Sequence, residues 1–154
     1  MRKILWLLVL LLMPAGLLLA QGGSGASADR IEGCYEGGHS GEVFRVRVSR
    51  QKDGTYTAQI FWVERDRDEH GRKILDPKNP DHSLRKVPCD RIVLFAGARY
   101  NASGKCWEGV KIYDPTRGLR AKMTAHFEAD GRLAVRGTLL GFSETVHWKR
   151  IDCK

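Results

Sequence analysis

Apolar and polar residues alternate with a period of two along most of the chain beyond residue 30, and this pattern constrains the fold most strongly. Residues 119–128 show it clearly, because Met123, Ala125 and Phe127 alternate with polar neighbours. A strand places successive side chains on opposite faces, whereas a helix needs a spacing of three or four. The pattern therefore predicts β-strands throughout this part of the chain.

About eight such segments are separated by turn sequences. Asp130-Gly131 is typical of a hairpin, and residues 64–90 form one long polar connection. Strands joined by short turns pair as antiparallel neighbours. We predict an all-β fold, an antiparallel up-and-down β-barrel, because closure buries the apolar face and removes exposed edges. A β-sandwich is the main alternative. An eight-stranded barrel is either filled by side chains or holds one small ligand.

The first residues have the pattern of a secretory signal. Arg2 and Lys3 precede an apolar run over residues 4–13, and small residues follow at Ala20 and Ala28. The run is marginal for a membrane span, which needs about 20 apolar residues. We predict a signal peptide over residues 1–28 and a single domain over residues 29–154. The alternatives are cleavage after Ala20 and an uncleaved N-terminal anchor. No stable membrane span is predicted after cleavage.

The charge of the chain narrows the class of partner. Removal of residues 1–28 takes away two basic residues and no acidic one, which lowers the net charge from +8 to +6. Such a balance attracts anionic surfaces. Since no nucleic-acid motif is present and the basic residues are scattered, envelope lipids or polysaccharides are favoured over nucleic acid.

All four cysteines follow the predicted signal, and exported proteins retain disulfides. Four cysteines allow three pairings, of which we favour Cys34–Cys153 and Cys89–Cys106. The first pair joins the two ends of the domain, as a closed barrel requires. A zinc site is the alternative, but no C-x-x-C or similar ligand spacing supports it. We predict no metal and no cofactor.

Short motifs occur in a specific order between residues 75 and 152. They are an N-P-D element, an I-Y-D-P element, an R-G pair and a terminal W-x-R element, found at Asn79-Pro80-Asp81, Ile112-Tyr113-Asp114-Pro115, Arg136-Gly137 and Trp148-Lys149-Arg150. Together they resemble bacterial domain-of-unknown-function family 2147, small exported proteins with a lipocalin-like barrel. The resemblance implies a lipocalin-like (calycin-like) fold and a periplasmic or secreted location in a bacterium. It implies no particular activity, because the function of the family is not established.

The long connection contains a first group of candidate site residues. Asp76, Asn79 and Asp81 could direct oxygen atoms at a cation, but two prolines and Lys78 interrupt the spacing, so a rigid turn-rich loop is favoured. Arg85 could pair with Asp76 or Asp81 and fix the loop over one mouth of the barrel. Long ordered loops of this kind are often functional.

A second group lies on the predicted strands. Trp107, Lys111 and Tyr113 share one strand face by alternation and could line a pocket for an anionic amphiphile. Arg136 lies among apolar residues and could bind a ligand carboxylate, although pairing with Asp114 or Glu144, or simple exposure, is favoured. Trp148 and Arg150 share a face of the last strand, where Trp148 is expected to plug one end of the barrel.

Three functions are compatible with these patterns. We favour an exported binding module for a small apolar or amphipathic ligand. The alternative is a structural or interaction protein of the cell envelope with a filled barrel. A hydrolase or isomerase that uses Asp76, Asp81, Arg85 or Tyr113 is less well supported, because no nucleophile motif or histidine spacing accompanies these residues.

Overall fold

The computed structural model describes residues 27–154, and these residues are almost entirely in strands and turns. Nine strands follow one another along the chain: β1 (Gly33–His39), β2 (Glu42–Arg50), β3 (Tyr56–Val63), β4 (Val93–Asn101), β5 (Cys106–Glu108), β6 (Lys111–Asp114), β7 (Leu119–Phe127), β8 (Leu133–Leu139) and β9 (Phe142–Ile151). Short 3-10 helices span Asp29–Ile31, His82–Leu84 and Cys89–Arg91. Most of the predicted signal segment, with its Ala20 site, lies outside the described residues.

The strands form one closed antiparallel barrel. The order in the sheet is β5-β4-β3-β2-β1-β9-β8-β7-β6, and β5 also pairs with β7, through Trp107 and Ala125. β5 and β6 occupy one position in the wall, because only Gly109 and Val110 separate them. The wall therefore has eight positions, and the prediction of an up-and-down barrel of about eight strands is confirmed.

The first and last strands are neighbours, as closure requires. Cys34 on β1 lies opposite Ile151 on β9, and Cys34 forms a disulfide with Cys153. The predicted pairing of the two ends is confirmed. The sequence separation of 119 residues places nearly the whole barrel inside this covalent loop.

The second predicted disulfide, between Cys89 and Cys106, is wrong, because both thiols are free. Cys89 precedes β4, whereas Cys106 pairs with Asn101 at the far end of β4. A strand of this length spans about 25 Å at 3.3 Å per residue. A disulfide requires Cα atoms within about 7 Å of each other.

One half of the barrel interior is filled. Trp107 packs edge-on against Tyr56 and Phe127, with ring centroids 6.5 and 5.7 Å away, and its indole N–H donates to the Ala28 carbonyl at 3.1 Å. The 3-10 helix Asp29–Ile31 covers this end. Arg150 fixes the helix by donating to the carbonyls of Arg30 and Glu32. We call this half the closed end.

Among residues 27–154, no helix has both the length and the apolar character needed to cross a membrane.

Candidate ligand cavity

The other half of the barrel contains a cavity of about 670 Å³. Ligand sites for small molecules usually have volumes of about 300–1,000 Å³. The walls are mostly apolar and come from strands all around the barrel, among them Phe44, Ile60, Leu94, Val135 and Val146. Side chains therefore do not fill this half of the barrel, in contrast to the filled interior considered as the alternative.

Trp148 forms the floor of the cavity and separates it from the closed end. The ring is only 1% exposed and meets Phe44 edge-on, with centroids 6.2 Å apart. Gly37 on β1 provides the space, because a Cβ at that position would lie 2.6 Å from Trp148 Cδ1. Trp148 thus lies in the middle of the barrel and not at its end, as the sequence had suggested. The 3-10 helix Asp29–Ile31, held by Arg150, closes that end instead.

Four charged residues bridge three strand connections at the mouth. His39 ends β1, Asp114 and Arg117 lie at the turn between β6 and β7, and Glu144 lies near the start of β9. His39 Nε2 is 3.3 Å from Asp114 Oδ2, and His39 Nδ1 is 3.4 Å from Glu144 Oε1. Arg117 Nε donates to Asp114 Oδ2 at 2.7 Å, and Arg117 also pairs with Glu144. We call these four residues the mouth cluster.

The electrostatics of the mouth cluster favour the charged forms of Asp114 and Arg117. Burial raises the pKa of Asp114, but hydrogen bonds from Thr116 and the charge of His39 outweigh this effect, so the pKa lies below its ordinary 3.8. The hydrogen bond to Glu144 and the neighbouring carboxylates raise the pKa of Arg117. The charges of Arg117, Asp114 and Glu144 are therefore largely paired with one another within the cluster.

The long connection between β3 and β4 packs beside the mouth. Asp76 is buried without an ion pair to any described residue; it accepts hydrogen bonds from Tyr113 Oη and Asn79 Nδ2, both at 2.7 Å. Burial and the neighbouring Asp76 raise the pKa of the Tyr113 hydroxyl, which stays a donor. Arg85 donates to the Asn79 carbonyl at 2.8 Å, so the prediction that it pairs with Asp76 or Asp81 is wrong, although it does hold the loop.

Asp81 has no role in gathering a cation with these residues. Its carboxylate accepts hydrogen bonds from the amide and the hydroxyl of Ser83, at 2.9 and 2.7 Å, which caps the 3-10 helix His82–Leu84. Among residues 27–154, no group of three acidic, histidine or cysteine side chains is arranged to hold a metal ion. The turn-rich loop favoured from the sequence is what the structure contains.

The structure brings two of the eight candidate ligand-binding residues to the cavity. Asp76 and Tyr113 line its edge, and ligand binding by them stays a prediction. Trp107 lies in the closed end. The residues away from the cavity wall are Asn79, Asp81, Arg85, Lys111 and Arg136.

Lys111 and Arg136 point away from the interior. Their neighbours Ile112, Val135 and Gly137 line the cavity, so alternation directs the two cations to the outer face, where both are exposed. The expectation that Trp107, Lys111 and Tyr113 share one face is also wrong. Gly109, at φ +88°, interrupts the strand between β5 and β6 and resets the alternation.

Asp114 and Glu144 were considered from the sequence only as partners of Arg136, and the mouth cluster that they form with His39 and Arg117 was not predicted. A signal was available, because connections of an up-and-down barrel alternate between its two ends. The turns at residues 39–42, 114–118 and 139–142 and the long connection must therefore share one end. The charged residues at these turns become neighbours only once the barrel closes.

Comparison with solved structures shows a similar barrel in a bacterial protein. One matching structure is described as "Protein HP1028 from the human pathogen Helicobacter pylori belongs to the lipocalin family". It has a TM-score of 0.61 and 20% sequence identity, over 79% of this chain and 83% of that one, which shows a shared fold. No curated protein matches the sequence significantly. A family model described as "Uncharacterized protein conserved in bacteria (DUF2147)" matches residues 33–150, so this chain belongs to the DUF2147 family.

Proposed function

We propose that the protein binds a small apolar or amphipathic molecule inside its barrel. The observation that carries the proposal is the cavity of about 670 Å³ with apolar walls, which opens at a charged mouth. Where side chains leave part of the interior unoccupied, the wall lacks the side-chain packing that normally stabilises a core. A bound apolar molecule would restore those contacts, and its burial would provide the driving force for binding.

The mouth cluster favours a particular kind of head group. The sequence suggested an anionic ligand held by Lys111 or Arg136, but both side chains are on the outside. Two cations line the mouth: Lys78 donates to the Thr116 carbonyl at 2.6 Å, and Arg117 already pairs with Asp114 and Glu144. An added carboxylate would compete with those two. We therefore propose an uncharged ligand whose polar end hydrogen-bonds to the mouth cluster.

Binding of the neutral fluorophore N-phenyl-1-naphthylamine tests this proposal. We expect saturable binding by the wild-type protein and a loss of at least tenfold in affinity for Val146→Trp, which fills the cavity. Val93→Trp is the matched control, because Val93 is an exposed β4 residue away from the cavity wall. Equal binding by the two variants would refute binding in the cavity.

The two free thiols offer a second readout that needs no mutation. Cys89 lines the cavity, whereas Cys106 lies beyond the far end of β4. Burial raises the pKa of both thiols, so both react slowly at neutral pH, and alkylation should be followed near pH 9. We expect the fluorophore to slow alkylation of Cys89 and leave Cys106 unchanged. Unchanged alkylation of both cysteines at a saturating concentration of fluorophore would contradict the proposal.

A further inference from the structure

The hairpin between β8 and β9 exposes apolar side chains beside the cavity mouth. Leu140 is 89% exposed and Phe142 is 83% exposed, and Leu139 beside them is also exposed. All three are at the edge of the cavity. We call residues 139–142 the hairpin tip. Single exposed apolar residues are common on proteins, but three at one hairpin tip form a cluster.

A second hairpin turn of the same conformation, between β1 and β2, shows that the fold does not require apolar residues at such a turn. The β1–β2 hairpin ends in the same way, with Ser40 at φ +53° followed by Gly41, where the tip has Leu140 at φ +50° followed by Gly141. Leucine is disfavoured in this left-handed region, where glycine and asparagine are preferred. The hairpin tip therefore carries an apolar residue where both solvent exposure and backbone conformation disfavour it.

The outer face of β6, β7 and β8, beside this hairpin, has charge of one sign. Lys111, Lys122 and Arg136 are exposed, form no ion pair with any described residue, and alternate with residues of the cavity wall. Lys111 lies directly opposite Lys122, and Lys122 is opposite Thr138 at the base of the hairpin tip. The outward positions of β6–β9 contain no carboxylate. We call these three residues the basic face.

We propose that the hairpin tip and the basic face dock the protein, mouth first, on an anionic phospholipid bilayer. Leucine and phenylalanine side chains insert at the boundary between head groups and acyl chains, while adjacent cations pair with lipid phosphates. Each basic residue near such a surface increases partitioning about fivefold. The proposal does not depend on which molecule the cavity binds, because the hairpin tip and the basic face would contact the bilayer directly.

Amide hydrogen exchange on the full-length, disulfide-bonded chain provides the test. The probes are vesicles of phosphatidylglycerol and, for comparison, of phosphatidylcholine. We expect phosphatidylglycerol to slow exchange of residues 138–143 at least fivefold and phosphatidylcholine to leave it unchanged. The β2–β3 turn around Gly54 lies at the closed end and is an internal control. High salt should weaken the protection, because it screens charges beyond a few ångströms.

Two pairs of variants separate the contributions. Leu140→Asn with Phe142→Ser removes the apolar tip and suits the turn, and we expect at least a tenfold loss of vesicle partitioning. Val93→Thr, another exposed apolar site, should change nothing. Lys122→Gln with Arg136→Gln should reduce partitioning at least fivefold, whereas Lys52→Gln with Lys154→Gln, at the closed end, should not.

Three outcomes would overturn the proposal. The first is unprotected exchange at the hairpin tip on phosphatidylglycerol vesicles. The second is equal protection on both lipids, which would remove the role of the basic face. The third is protection that rises with protein concentration without vesicles, which would assign the tip to contact with a second copy of this chain.

Discussion

Removal of the disulfide between Cys34 and Cys153 should destabilise the protein by several kcal/mol. The bond closes a loop with a sequence separation of 119 residues. In the chain-entropy model, release of a loop of this length raises the entropy of the unfolded state by the equivalent of about 5 kcal/mol. The native contacts need not change, because Cys34 and Ile151 are already paired across β1 and β9. A domain of this size has a total stability of about 5–15 kcal/mol.

Cys153→Ser is the appropriate variant, because Cys153 is exposed while Cys34 is fully buried. Urea unfolding, followed by tryptophan fluorescence, should show a loss of about 3–5 kcal/mol relative to wild type. With a slope of about 2 kcal/mol per molar urea, the midpoint falls by about 2 M. Cys106→Ser removes a free thiol and is the matched control, for which we expect a change below about 1 kcal/mol.

A loss below about 1 kcal/mol for Cys153→Ser would refute the reasoning. It would mean that the ends of the unfolded chain stay close without the bond. An equal loss for both cysteine variants would also refute it, because the effect would then belong to thiol removal rather than to loop closure.

Two further predictions concern the mouth. Tyr113→Phe removes the hydrogen bond to the buried Asp76 carboxylate and should reduce the free energy of unfolding by about 2 kcal/mol, with faster amide exchange in residues 72–81. Tyr100→Phe, whose hydroxyl bonds to no described residue, should change stability little, and equal effects would contradict this. Asp114→Asn should destabilise the protein at pH 7. The pKa of Asp114 is lower in the folded state than in the unfolded state, so the ionised carboxylate stabilises the fold above about pH 4. This stabilisation is lost as the pH falls through the folded-state pKa. The difference between wild type and variant in the free energy of unfolding should shrink as the pH falls below about 4, and a difference that stays constant as the pH falls would contradict the assignment.

The fold could be predicted because its determinants are local. The alternation in β7, for example, is visible in nine consecutive residues, and hairpin turns such as Asp130-Gly131 need no knowledge of distant contacts. Closure followed from the number of strands, and the Cys34–Cys153 pair followed from closure. Each step used a rule about neighbours in sequence or in strand order.

The candidate site was harder to predict because it depends on register. Gly109 shifts the alternation, which puts Trp107 inside the closed end and Tyr113 beneath the long connection. A single inserted residue reverses the facing of every later side chain, and sequence alone does not show where it occurs. His39 and Asp114 are 75 positions apart, so their contact follows only from the closed barrel. The Cys89–Cys106 prediction failed for a related reason. The two cysteines are close in sequence, but the extended strand β4 lies between them and places them at opposite ends of the barrel.

The two ends of the barrel differ in side-chain size, and this difference connects the cavity with the hairpin tip. Large aromatic residues fill the closed end, whereas Ala121, Val135 and Gly137 line the open half. Larger side chains at Ala121 or Val135 would fill the space, so these two small residues keep the stability of the fold below what the wall could support. The exposed tip beside the mouth has the same character, because Leu140 is unfavourable there for a molecule in water alone. We expect both features to become favourable when the open end contacts apolar groups, either those of a ligand inside the cavity or those of a bilayer at the hairpin tip. The exposed hairpin tip and the cavity therefore lie at the same end of the molecule, and we expect the protein to interact with its partners through this end.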